Sequence, residues 1–293
     1  MFDLRYHVAS LAAVFLALII GILVGVGVSG PVDNQKTKFL EEQVAKYQRQ
    51  LDQTSTQSKA SAREQQAALA YIDETYPVLA KNRLRGKQVA VVFVGDVKGD
   101  IPAEINRLFL DSGAQQLRLR ALKVPVDMRQ LGAALKGQPA AVGLRGRQNV
   151  EALGRALGQE LMLGRDTPLW DSLTGALVEN REGASKAPAD GVVVVRTADP
   201  QRGATSRFLL GLYAGLGSAG VPAIGVEQTD APKSATRAFA QAGLSSVDDL
   251  DTRVGRLATV LLLAGADAGQ YGVKKSAEDG ALPPWPTPTA EGG

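Results

Sequence analysis

The first segment of the chain is apolar throughout, and no charged side chain occurs between Val8 and Val32. About 20 apolar residues are enough to cross the hydrocarbon of a bilayer as a helix. A cleaved signal peptide would have an apolar core of only about 7–15 residues and an A-x-A-like site after it. Here the core is longer and ends at Gly30-Pro31. The pattern predicts a transmembrane anchor over residues 1–32, in the plasma membrane, with the following domain outside the cytoplasm.

Within this segment a small side chain recurs at every fourth position. The members of this small-residue stripe are Ala9, Ala13, Ala17, Gly21 and Gly25. Residues four apart share one helix face, and small side chains let two membrane helices approach closely. The spacing therefore predicts packing against a second copy or a partner membrane protein. The alternative is that alanine and glycine are simply common in membrane helices.

The next stretch, residues 33–80, is mostly polar and has no glycine or proline between Asp33 and Tyr76. Apolar or small positions follow a 3–4 spacing in two blocks: Leu40, Val44, Tyr47 and Leu51, then Ala68, Ile72 and Thr75. This pattern predicts a coiled-coil stalk with two short apolar zippers around a polar middle. The alternative is a solvated single helix or a partly disordered linker.

From residue 86 to residue 275, short apolar runs alternate with amphipathic stretches. The runs predict strands over 88–95, 116–123, 140–144, 191–197 and 222–227, with helices over 103–112, 128–135, 149–163, 168–179, 205–216, 234–242 and 252–264. Continuous apolar strands are typical of a sheet that is covered on both faces. The predicted fold class is therefore α/β, with an open, mainly parallel sheet and helices on both faces. Asn149, and either Asp251 or Thr252, are the predicted N-caps of two of these helices.

Composition excludes several functions. The 293 residues include no cysteine, so disulfides, zinc knuckles and thiol catalysis are excluded. Basic residues are scattered, the net charge is only +3 and aromatic residues make up 5%, which does not indicate a nucleic-acid partner. The single histidine, His7, lies at the edge of the predicted anchor, so no Ser-His-Asp triad is available. We expect no enzymatic activity, and residues 276–293 are proline-rich and predicted to be a disordered tail.

Two local patterns remain as candidate sites. Carboxylates follow three of the predicted strands, where open parallel sheets bind ligands, and together they could hold Mg²⁺ or Ca²⁺. The possible ligand set is Asp96, Asp199 and Glu227, with Asp100 and Asp230 nearby in sequence. Aspartate is also common in turns, so no metal is assigned to this set. The sequence from Gly215 to Gly220 matches G-x-G-x-x-G, but it ends a helix instead of opening one, which favours capping and close packing over a dinucleotide site.

Two further stretches carry a resemblance to a known family. Residues 4–18, with Gly21 and Gly25 after them, and residues 246–252, with 255–256 and 270–272, resemble the mycobacterial copper transport protein B (MctB) family. The resemblance spans nearly the whole chain and implies an envelope protein that acts in copper efflux or homeostasis. Some members of that family are thought to act in envelope maintenance and cell separation with a membrane-associated partner.

The residues themselves offer few soft ligands for copper. Cysteine is absent, and His7, Met1, Met128 and Met162 form no spaced cluster. Any copper contacts are therefore expected to come from carboxylates or from a partner, and no other cofactor is evident. Three functions stay open: copper homeostasis, a non-enzymatic oligomeric scaffold that presents the α/β domain to an envelope or cell-separation partner, and, ranked last, an enzyme that uses the strand-end carboxylates.

Overall fold

The computed structural model describes residues 4–27, 34–97, 99–183 and 186–285. They fall into two compact units, Met1–Ala68 and Leu69–Gly293. The first unit holds helix α1 (Leu4–Gly27) and most of helix α2 (Asn34–Ala80). The second unit holds the last turns of α2 and all the strands described below.

Helix α1 is apolar on all sides. Its exposed side chains include Val14, Phe15, Leu16, Leu18 and Leu23, which are 57–68% accessible to solvent. Nevertheless, none of the helices in the described residues satisfies the combined length and hydropathy requirement for a membrane span. The transmembrane anchor predicted over residues 1–32 is therefore not confirmed.

Helix α2 is continuous over 47 residues, so residues 34–80 of the predicted stalk are helical, with Pro77 inside the helix. The side chains of the first apolar block are more than half exposed in the single chain: Leu40, Val44, Tyr47 and Leu51. The pairing of two such helices into a coiled coil therefore stays a prediction.

A seven-stranded sheet forms the centre of the second unit, and its described strands have the order β3-β2-β1-β4-β5-β6-β7. The strands are β1 (Gln88–Val94), β2 (Gln115–Leu122), β3 (Val178–Glu182), β4 (Gly191–Arg196), β5 (Ala223–Val226), β6 (Ser245–Val247) and β7 (Gln270–Tyr271). Neighbouring strands are parallel except for β3, which is antiparallel to β2. The predicted mixed α/β fold with a mostly parallel sheet is therefore confirmed.

Helices cover both faces of the sheet. They are α3 (Ile101–Ser112), α4 (Met128–Ala134), α5 (Val150–Met162), α6 (Pro168–Ser172), α7 (Gly203–Gly217), α8 (Thr236–Gln241) and α9 (Arg253–Leu263). Helices α3 and α9 pack on one face with Val193 and Val195 of β4, and the other helices from α4 to α8 lie with Val192 and Val194 on the opposite face. Strand β4 is apolar at successive positions because both of its faces are buried.

Helices α5 and α7 approach each other through four glycines. A Cβ at Gly154 would lie 2.2 Å from the Phe208 carbonyl oxygen, and one at Gly158 would lie 2.4 Å from that of Leu212. On α7, Cβ atoms at Gly211 and Gly215 would lie 2.0 and 2.2 Å from carbonyl oxygens of α5. Any larger side chain at these positions would push the two helices apart.

Several local predictions are wrong. Residues 140–144 form no strand, because Pro139–Ala141 is a 3-10 turn. The helix predicted over 168–179 ends at Ser172, and strand β3 follows it. Asn149 occupies the N-cap position of α5 as predicted, but its side chain makes no capping bond, and its Nδ2 donates to the Arg145 carbonyl oxygen at 2.9 Å instead.

Other local predictions are confirmed or refined. Thr252 caps α9 by accepting a hydrogen bond from the Gly255 N–H at 2.9 Å. Of the two predicted N-cap residues, Asp251 and Thr252, the structure therefore selects Thr252. Residues 276–285, part of the predicted tail, make contacts with the rest of the second unit. Ser276 Oγ donates to Asp248 Oδ2 at 3.1 Å, and the Arg83 guanidinium stacks on Trp285 with its Cζ 4.1 Å from the ring centroid. Residues 286–293 lie outside the described residues.

Candidate functional site

A crevice opens at the carboxyl ends of β1, β4 and β5. Strand β1 lies between β2 and β4, so the chain direction across the sheet reverses there, and open α/β sheets bind ligands at such a switch point. The crevice has a volume of about 280 Å³. Its lining is Asp96, Arg196, Thr197, Ala198, Asp199, Gln228, Asp230, Ala231 and Pro232.

The turn after β1 requires glycine. Gly95 has φ of +109°, and a Cβ there would lie 2.7 Å from Thr197 Oγ1 and 2.9 Å from the Ala198 backbone nitrogen. Thr197 Oγ1 donates to the Val94 carbonyl oxygen at 3.3 Å, which joins the ends of β1 and β4. This close approach brings Asp96 to the same crevice as Asp199.

Glu227 has a different role from the other two predicted ligands. It is fully buried, and its carboxylate accepts hydrogen bonds from Arg196 Nη2 at 2.8 Å, Lys274 Nζ at 3.1 Å and the Ala235 N–H at 2.9 Å. Burial raises the pKa of the Glu227 carboxyl, but the bonds from Ala235, Ser234 and Arg196 outweigh it and hold the pKa below the ordinary value. Glu227 is therefore an ion-paired support beneath the crevice and does not line it.

The remaining carboxylates of the crevice are solvent-accessible. Asp199 is 59% exposed and lies 3.5 Å from Lys233 Nζ, a contact that water screens strongly. Asp96 and Asp230 line the same crevice. In the part of the chain that the structure describes, no group of three His, Cys, Asp or Glu side chains could hold a metal ion. The crevice thus offers negative charge without a closed set of ligands.

Sequence reasoning missed the two cations that hold Glu227 in place. Arg196 follows four buried valines at the end of β4, and Lys274 follows β7. The only signal for Arg196 was a charged residue at the end of a fully apolar strand. Lys274 carried no signal, because its partner lies 47 residues away.

The stretch from Ser246 to Thr252, which carries part of the resemblance, leads from β6 to α9. It forms hydrogen bonds with the segments that follow β5 and β7. Asp248 accepts hydrogen bonds from the backbone N–H of Val273 at 2.9 Å and from Ser276 Oγ at 3.1 Å. Asp251 accepts one from the Thr229 N–H at 2.7 Å. A Cβ at Gly272 would lie 2.0 Å from Asp248 Oδ1, so this position excludes larger residues.

Asp249 is the least satisfied carboxylate in this stretch. Its Oδ2 accepts from Thr252 Oγ1 at 2.9 Å, whereas its buried Oδ1 has no hydrogen-bond partner among the described residues. Burial, with the neighbouring Asp248 and Asp251 carboxylates, raises the pKa of Asp249 to about 6. A Cβ at Gly255 would lie 2.1 Å from the Asp249 carbonyl oxygen, so glycine lets α9 start directly against this turn.

The fold and the crevice define an α/β protein with an acidic cleft at the switch point of a mostly parallel sheet. A family model described as "Copper transport outer membrane protein, MctB" matches residues 1–282. The chain therefore belongs to the MctB family of copper transport-related envelope proteins, and the resemblance seen in the sequence is confirmed. Comparison with curated proteins gives no significant match.

Proposed function

We propose that this protein is a single-pass, membrane-anchored component of copper homeostasis in the cell envelope. In this proposal it acts without catalysis, as an oligomeric scaffold whose α/β unit lies outside the plasma membrane and meets an envelope partner. The family match supports the copper role. The observation that carries the anchored, oligomeric part is the exposure of apolar side chains all around α1.

An exposed helix of this kind is unfavourable in water. Fully burying one Leu, Val or Phe side chain contributes about 1.5–3 kcal/mol, and α1 leaves many such side chains uncovered. A helix that is apolar on every side is stable only inside lipid or inside protein. In this proposal, lipid covers most of the surface of α1, and a second helix covers the small-residue stripe.

The small-residue stripe supports the oligomer. A Cβ added at Gly21 would meet no atom within 4 Å, so the backbone is open there to a second helix. In lipid, helices associate through close backbone packing of this kind. The exposed apolar block at Leu40, Val44, Tyr47 and Leu51 would continue the contact along α2.

Copper itself would be handled as cargo and not as a resident cofactor. Asp96, Asp199 and Asp230 supply oxygen ligands, which suit hard cations better than Cu(I). Transfer of copper would therefore depend on ligands from the partner that the scaffold captures.

The test compares two double variants of the full-length protein in a strain that lacks the native copy. Gly21→Ile with Gly25→Ile fills the stripe, whereas Ile19→Phe with Ile22→Phe adds bulk on the opposite face of α1. We expect the glycine variant to lose most cross-linked oligomer and copper tolerance, and the isoleucine control to retain both. Both proteins should stay in the membrane pellet after alkaline extraction. Unchanged cross-linking in the glycine variant, or release of the native protein by alkali, contradicts the proposal.

A further inference from the structure

A small cavity with an unusual excess of positive charge lies beside β2 and β3. Five cationic side chains but only two carboxylates line it: Arg118, Arg120, Arg165, Arg181 and Lys186 against Asp166 and Asp171. Its volume is about 110 Å³. A space of this size holds several water molecules or a single small oxyanion group.

Both carboxylates already have partners. Asp166 lies 2.5 Å from Lys186 Nζ, and Asp171 forms an ion pair with Arg181. Within the described residues neither carboxylate forms a hydrogen bond or ion pair with Arg120 or Arg165, although the charge of Asp171 partly offsets the lowering of the Arg120 pKa. The cavity therefore keeps positive charge that its own carboxylates do not neutralise.

Arg120 presents the clearest binding edge. Its side chain is only 1% exposed, and Nη1 donates to the carbonyl oxygens of Leu119 and Glu182 at 2.7 and 2.8 Å. Within the described residues Nε is buried without a partner, and Nη2 makes no hydrogen bond. Nε and Nη2 form the edge of a guanidinium that holds an oxyanion through two parallel N–H···O bonds.

The strand register concentrates the charge further. Arg120 lies directly opposite Arg181 in the antiparallel pair of β2 and β3. Like charges in this position destabilise a sheet unless something neutralises them. Burial, followed by the charges of Arg181 and Arg118, lowers the pKa of Arg120 to about 10. An anion in the cavity would relieve this repulsion.

We propose that the cavity binds a phosphate group, held by the free edge of Arg120 and by the exposed guanidinium of Arg165. The group can belong to free inorganic phosphate or to the end of a larger molecule, such as a glycerol phosphate headgroup. Both sources present the same oxyanion to Arg120, and the cavity volume limits only the group that enters.

The test measures thermal melting and calorimetric binding of the purified full chain with inorganic phosphate, with glycerol 3-phosphate and with chloride at matched ionic strength. We expect saturable stabilisation by at least one phosphate compound and none by chloride. Arg165→Gln should weaken the affinity about tenfold, the scale of a lost hydrogen bond to a charged group. Arg207→Gln, which removes an exposed arginine of α7, should change the affinity by less than about twofold.

The compound that binds more tightly identifies the source of the phosphate group, and tighter binding of either compound supports the proposed site. Arg120→Lys keeps the charge but loses the two parallel N–H donors of the guanidinium edge, so it should weaken phosphate binding as well. Because Arg165 is exposed, Arg165→Gln remains informative if Arg120→Lys does not fold. Absence of saturable binding by both phosphate compounds overturns the proposal. Equal binding by Arg165→Gln and Arg207→Gln overturns it too.

Discussion

The guanidinium of Arg256 lies over the ring of Tyr76, with its Cζ 5.4 Å from the ring centroid. The Tyr76 hydroxyl donates to Asp111 Oδ2 at 2.9 Å, and Arg256 also forms a buried ion pair with Glu104. One arginine of α9 thus joins the end of α2 to α3. Leu257 and Leu261 of α9 complete an apolar cluster with Tyr76 and Ala80. The last turns of α2 are therefore part of the folded α/β unit.

Replacing Arg256 should destabilise this unit strongly. Among the described residues, Arg256→Gln leaves buried Glu104 with only the exposed Arg107 as its cation, and breaking a buried ion pair costs about 3–5 kcal/mol. Arg253→Gln is the matched control, because its pair with Asp73 is exposed and worth about 1 kcal/mol or less. Urea unfolding of both variants measures the difference. Similar unfolding midpoints would contradict the assigned role of Arg256.

Two of the three predicted ligand residues, Glu227 and Asp199, should differ in their effect on stability. Glu227→Gln leaves Arg196 and Lys274 facing a buried neutral group, so we expect a loss of about 3–5 kcal/mol. Asp199→Asn removes only an exposed contact with Lys233 and should cost about 1 kcal/mol or less. Melting temperatures of the two variants test this. A large loss with Asp199→Asn would place that residue among the supports of the fold.

The sequence predicts those elements best that are buried on both faces. The runs at β1 and β4 are apolar at successive positions, and the structure places both in the middle of the sheet. Strand β3, with the sequence VENRE, is a mostly exposed edge strand. Its residues are mostly polar, so no apolar run in the sequence indicates a strand there. Strands β6 and β7 are only three and two residues long, too short for any periodicity.

The candidate crevice is predictable only in part for a similar reason. Asp96 and Asp199 could be placed there because the carboxyl ends of parallel strands meet at one edge. The ion pairs of Glu227 join residues that are distant in sequence, and no local pattern records such contacts. The arginine cavity did leave a local signal, since alternation in β2 puts Arg118 and Arg120 on one face.

The glycines that match G-x-G-x-x-G should differ sharply when replaced by alanine. A Cβ at Gly215 would lie 2.2 Å from the Arg155 carbonyl oxygen, so Gly215→Ala must separate α5 from α7 and should cost about 2–4 kcal/mol. At Gly217 the nearest atom would be Leu244 Cδ1 at 3.3 Å, and this flexible side chain can move. Gly217→Ala should therefore change stability by less than about 1 kcal/mol. Denaturant unfolding distinguishes these outcomes, and equal losses would mean that close helix packing does not explain the motif.

Glu160 should make stability depend on pH near neutrality. Burial raises the pKa of its carboxyl to about 7, although the Leu169 N–H donates to it at 3.0 Å. Because the folded pKa lies above the unfolded value, the folded state holds the proton more tightly. Ionisation then costs stability progressively as pH rises from the unfolded pKa of about 4.5 towards 7. The full shift corresponds to between about 3 and 4 kcal/mol, and because the carboxyl is only half-buried, screening by water lowers the expected cost to roughly 2–3 kcal/mol. Glu160→Gln removes this cost, so the variant should gain stability over the native protein as pH is raised from 5 to 8.

Thermal melts of both proteins at the two pH values measure that gain. The matched control is Glu151→Gln, which removes an exposed carboxylate from the same helix and breaks only a 3.7 Å contact with Arg155. Its effect should stay within about 0.5 kcal/mol at either pH, as for other exposed helix pairs. A difference between Glu160→Gln and the native protein that does not change with pH would show that the Glu160 carboxyl does not titrate in this range. A difference that shrinks as pH rises would show that the ionised form is the one the fold favours.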